Sequence, residues 1–89
     1  MADTFATLIV TAENVERART TAAQFTGGAG MFTTALSATG AEPATHYIST
    51  GYMPEGIVQA LSGMCSISSK TGEEAMADAG LIMVASAEI

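Results

Sequence analysis

The chain has 89 residues, a mass of 9.0 kDa and nine acidic against three basic side chains, a formal charge of −6. That length is expected to hold one domain, residues 1–89. Three cations, Arg17, Arg19 and Lys70, build no basic stripe, so neither nucleic acid nor an anionic membrane surface is an expected partner.

Ala, Thr, Gly and Ser account for 45 residues, whereas Leu, Ile, Val and Phe number only 17, so the core must be thin. With 13% charged residues and a mean hydropathy of +0.34, the composition still argues for a folded chain. Burial against a second copy would supplement so small a core, and a homodimer or larger assembly is expected. The runs Leu8-Ile9-Val10 and Leu81 to Ala85 fall far short of the roughly 20 apolar residues that span a bilayer. Met1-Ala2-Asp3-Thr4 carries an acid where a secretory signal needs positive charge. These features lead to the expectation of a soluble, cytoplasmic protein. Cys65 is the only cysteine, which excludes a disulfide within the chain. Beside Met64 and Ile67 it reads as a small buried hydrophobe, since a reactive thiol would need a cation nearby and only Lys70 is close in sequence.

Thr4 to Thr11 reads as a strand whose Phe5, Leu8, Ile9 and Val10 leave both faces largely apolar, the mark of a central strand. Thr11 is placed to cap a helix over Ala12 to Phe25, where Val15, Ala18, Ala22 and Phe25 form one stripe and Glu13 can pair with Arg17. Gly27 and Gly28 would end it. Met31 to Ala38 alternates as a strand does, Thr39 to Pro43 carries turn residues, and Thr45 to Gly51 completes a hairpin. Pro54 suits a first helical position, with Ile57, Val58 and Leu61 at helical spacing, although Gly56 and Gly63 weaken that helix. Ser66 to Lys70 reads as irregular or a short extended piece. Thr71 to Glu74 matches a capping box for a short helix that Gly80 closes, and Leu81 to Ser86 is a last apolar strand.

This β-α-β-β-α-β order predicts an α+β fold, a ferredoxin-like split βαβ sandwich with a four-stranded antiparallel sheet and its helices on one face. The first and last strands, being the most apolar, are expected at or next to the sheet centre. Residues 31–38 are then expected at an edge, free of the Lys, Arg, Asp, Glu or Pro that usually blunt one. A second copy would cover the sheet face opposite the helices. Met31, Phe32, Tyr47 and Met83 are the candidate self-association residues.

Chemistry is sparse. Gly27-Gly28-Ala29-Gly30 follows a helix and precedes a strand, the reverse of a phosphate loop, and reads as a helix stop plus turn. One His and one Cys cannot form a zinc site, and Glu74 with Asp78 reads as a solvated acidic face, so no metal or cofactor is expected. There is no Gly-x-Ser-x-Gly elbow. His46, the only histidine, and Tyr47 are the weak catalytic candidates. Strand alternation sends them to opposite faces, with His46 beside Ile48 and Thr50.

The run Gly27-Gly28-Ala29-Gly30-Met31-Phe32-Thr33-Thr34-Ala35-Leu36-Ser37-Ala38-Thr39-Gly40, continuing through Pro43-Ala44-Thr45-His46-Tyr47-Ile48-Ser49-Thr50-Gly51, resembles short open reading frames of bacteriophages and prophages with no assigned activity. The resemblance covers residues 27–51 and implies a bacterial cytoplasm or a virion as the setting, without implying site residues. The expected function is therefore a non-enzymatic interaction or assembly role, with a protein partner or a second copy. The alternative is a small-molecule site or minor enzyme around His46 on a dimeric sheet.

Overall fold

The computed structural model describes residues 3–25, 28, 30–32, 34–38 and 45–86. In chain order they form β1 (Asp3–Thr11), α1 (Val15–Ala22), β2 (Thr34–Ala38), β3 (Thr45–Pro54), α2 (Glu55–Leu61), β4 (Ser66–Ser68), α3 (Gly72–Asp78) and β5 (Leu81–Ser86). The strands make one sheet in the order β4-β1-β3-β2-β5, with every neighbouring pair antiparallel. The fold is α+β.

The expected four-stranded sheet is corrected to five. Ser66 to Ser68, expected to be irregular or a short extended piece, pairs with Thr7, Leu8 and Ile9 as an additional strand. Leu81 to Ser86 pairs with β2, so β2 lies inside the sheet and β5 at its end. Both the expected edge position of residues 31–38 and the expected central position of Leu81 to Ser86 are thereby overturned. Met31 and Phe32 precede β2, and the turn at residues 39–44 lies outside the described residues.

The helices also occupy both faces rather than one. Ala6, Leu8 and Val10 of β1 pack with Val15, Ala18 and Ala22 of α1 and Ile57 and Leu61 of α2. The alternate β1 residue Ile9 packs with Ile48 of β3 and with Ala75 and Leu81 under α3. A period of two sends Ala6, Leu8 and Val10 to one side and Thr7 and Ile9 to the other, which explains why β1 is apolar along its whole middle. The face assigned to a second copy is thus covered, over part of its length, by the chain's own α3.

Helix boundaries follow local chemistry. Ala12 to Asn14 form a turn, with the Asn14 N–H donating to the Thr11 carbonyl at 3.0 Å, so α1 begins at Val15 rather than at Ala12. Glu13 lies in that turn, and the ion pair on the helix joins Glu16 to Arg19 at 2.7 Å. Beyond α1 the Gly28 N–H donates to the Phe25 carbonyl. A Cβ on Gly28 would stand 1.6 Å from the Ala22 carbonyl oxygen, so only glycine permits this close approach. Pro54 ends β3 and directly precedes α2, one residue earlier than its expected helical place. For α3, Thr71 accepts from the Glu74 N–H while Glu74 accepts from the Thr71 N–H, completing the capping box. Gly80, at φ +71°, turns the chain from α3 into β5.

Candidate functional site

The β1–β3 register organises the α3 side of the sheet. Along it lie the opposed pairs Asp3 and Pro54, Phe5 and Tyr52, Thr7 and Thr50, Ile9 and Ile48, and Thr11 and His46. The α3 helix covers the middle of this row. An ideal Cβ on Gly72 would lie 3.5 Å from Thr50 Cγ2 and 3.7 Å from Ile48 Cδ1, which sets the start of α3 directly over that part of β3.

Beneath the helix, Thr7 is fully buried, and its hydroxyl is satisfied twice. Thr7 Oγ1 donates to the Lys70 carbonyl at 2.8 Å and lies 2.7 Å from Thr50 Oγ1. Because a hydroxyl has one proton, Thr50 must be the donor in the second bond. The network ties the centre of the sheet to the segment that leads into α3. A cleft of about 220 Å³ opens beside it, walled by Thr7, Ile9, Ser66, Ser68, Ala75 and Asp78 among others. Lys70 Nζ donates to Asp78 Oδ2 at 2.6 Å, and that pairing, with the nearby Glu74 charge, raises the lysine pKa above its ordinary value.

At one end of the row the sheet emerges from under α3. The Phe5 and Tyr52 rings meet edge to face there, with centroids 5.4 Å apart and planes at 71°. Tyr52 is 77% exposed, the most open large apolar side chain among those described. At the other end His46 is half-buried, opposite Thr11 and in register with Leu36 of β2.

The structure does not bring His46 and Tyr47 together. Tyr47 stands opposite Val10 and packs against the core under α1 and α2, on the face away from His46. Two further clefts beside α1 are lined by Glu16, Arg19, Thr20, Ala23 and Gly30 and by Glu16, Arg17, Thr20, Thr21 and Met64. His46 lines none of the three clefts. Among the described residues, no three of His, Cys, Asp and Glu converge. Cys65 is half-buried at the margin of the core, and burial pushes its thiol up to about 11. A neutral thiol of that kind is a poor nucleophile.

The self-association candidates separate as well. Phe32 is fully buried in the core and has no surface to offer a second copy. Met31 and Tyr47 are half-buried against that core, and Met83 lies on β5 at the end of the sheet, in register with Leu36. Sequence reasoning missed Tyr52 and Thr7. Thr7 is detectable as the one hydroxyl between Phe5 and Val10, but Tyr52 carries no signal, because its exposure depends on where α3 begins.

No helix among the described residues is long and apolar enough to cross a membrane. No protein-family model, no curated protein and no solved structure matches the chain.

Proposed function

We propose that this chain is a non-enzymatic assembly protein that self-associates through β5. The observation carrying this reading is the contrast between the two ends of the sheet. β4 spans three residues, a length that itself blunts an edge, whereas β5 spans six and reads Leu-Ile-Met-Val-Ala-Ser. None of these is Lys, Arg, Asp, Glu or Pro, the residues by which soluble proteins protect an open edge. An antiparallel edge is self-complementary across a two-fold axis, so a second copy is the occupant with matching length and register. Met83, in the middle of β5, stays a contact candidate; Phe32 and Tyr47 serve the core instead.

The first six elements read as a ferredoxin-like unit, supported by the β4-β1-β3-β2 order, with α3 and β5 as an addition that supplies the edge. The resemblance of residues 27–51 to phage and prophage reading frames favours a bacterial cytoplasm or a virion as the setting, where repeated copies of one chain are useful.

Sedimentation across a dilution series tests the proposal. A species of twice 9.0 kDa or more is expected at tens of micromolar, dissociating on dilution. Met83→Lys should weaken it at least tenfold, and Thr20→Lys, on the exposed side of α1, should leave it unchanged. Should Met83→Lys fail to fold, amide exchange along β5 in the natural chain decides the matter, since protection there must rise with concentration. A stable monomer at tens of micromolar, or β5 exchange independent of concentration, overturns the proposal.

A further inference from the structure

The Phe5–Tyr52 end of the sheet is chemically unlike the edge at β5. It presents aromatic surface with little to cover it: Tyr52 is 77% exposed and Phe5 is only half-buried. Its surroundings are acidic. Asp3, exposed, lies opposite Pro54 in register and hence diagonal to Tyr52, a spacing of about 7–8 Å between Cα atoms. Glu73, also exposed, follows Gly72, whose backbone abuts Thr50, the residue two before Tyr52 on the same face. Ion pairs among the described residues engage two of the three basic side chains. Arg17 and Arg19 belong to α1 on the other side of the sheet, Arg19 in its pair with Glu16, and Lys70 is held by Asp78.

We propose that this patch docks a basic segment of a protein partner, placing an Arg or Lys side chain against the Tyr52 ring. An aromatic face attracts a cation through its quadrupole, and the Asp3 carboxylate on the same face of the sheet adds to that attraction. The pairing of an exposed ring with flanking acids selects a cation rather than an apolar or anionic group. Lys70 meets this face through its carbonyl on Thr7 while its ammonium goes to Asp78, so the cation this patch takes comes from another molecule. The proposal is independent of β5, which forms the far end of the sheet.

The test is titration of the isotopically labelled full chain with the peptide acetyl-(Arg-Gly)₄-amide, followed by NMR, beside the same peptide with citrulline for arginine. Saturable shifts centred on Phe5, Thr50 and Tyr52 are expected with the arginine peptide alone. Tyr52→Ala, a change at an exposed site that leaves the fold intact, should weaken binding about two- to fivefold. Asp3→Asn and Glu73→Gln should each weaken it roughly twofold at low salt, and less at high salt. Shifts spread over all the acidic residues and insensitive to Tyr52→Ala would overturn the proposal, as would equal binding of the citrulline peptide or no saturable shift. A loss of self-association in Tyr52→Ala would assign the patch to a second copy, and would equally overturn it.

Discussion

Thr7 shows how one hydroxyl can be placed in an apolar strand at little cost. It is buried among Ile9, Ala75 and the sheet, yet it both donates and accepts. Thr7→Val keeps the shape and removes the oxygen, leaving the Lys70 carbonyl without its donor. Stability should fall by about 1–2 kcal/mol, read as a lower urea midpoint with an unchanged m-value. Thr50→Val should cost less, because Thr50 is exposed and its partner keeps the bond to Lys70. Cys65 makes a different prediction. Its thiol ionises at 9.0 when free and at about 11 when folded, burial being the cause. Between those values the unfolded chain has released a proton that the folded chain retains, so stability declines as pH rises through that window. Cys65→Ala should show a smaller loss of urea midpoint from about pH 8 to about pH 10.5 than the natural chain does. Titration of Lys70, whose pKa is also raised, occurs in both proteins and cancels in that comparison.

Among the elements, α3 is one of two seven-residue helices and the one that local chemistry caps. An isolated helix of that length is unstable in water. The capping box and the burial of Ala75 against Ile9, Ile48 and Leu81 hold α3 in place. Thr71→Ala removes the cap and should cost about 1 kcal/mol. The loss should appear first as faster amide exchange at the end of α3, where Ala79 donates to Ala75 and Met76 and Gly80 to Ala77, before the β1–β3 pairs are affected. Element identity is largely readable in the sequence because it rests on local chemistry. Alternation in β1, the stripe Val15, Ala18 and Ala22, the capping box and Gly80 each act within a few residues. The departures are of the same local kind: Ala12 to Asn14 form a turn because backbone bonding to Thr11 competes with the helix, and the expected Glu13–Arg17 pair gives way to Glu16–Arg19.

For the whole molecule, the formal charge of −6 opposes any association between copies. If β5 is the contact, two like-charged chains meet through an uncharged strand, and screening should favour the meeting. The dilution series should therefore show tighter association at about 0.5 M salt than at about 0.05 M, where the Debye length is several-fold longer than at 1 M. An association held by ion pairs would weaken instead, so the sign of the salt effect separates the two.

Composition and spacing along the chain are enough to establish the acidic charge, the small core, the lack of a second cysteine or histidine, and most strands and helices, because each depends on residue counts or on close neighbours. They also separate His46 from Tyr47, since strand alternation alone puts adjacent residues on opposite faces. The edges are settled only in three dimensions. Three residues, Ser66 to Ser68, take the open side of β1, and Leu81 to Ser86 then finds its partner at β2 on the other end of the sheet. The same placement puts α3 over the middle of one face and leaves Tyr52 outside its cover, while Phe32 turns into the core. Edge, cover and exposure depend on which distant segments compete for the same backbone hydrogen bonds and the same apolar face, and that competition has no counterpart in local spacing.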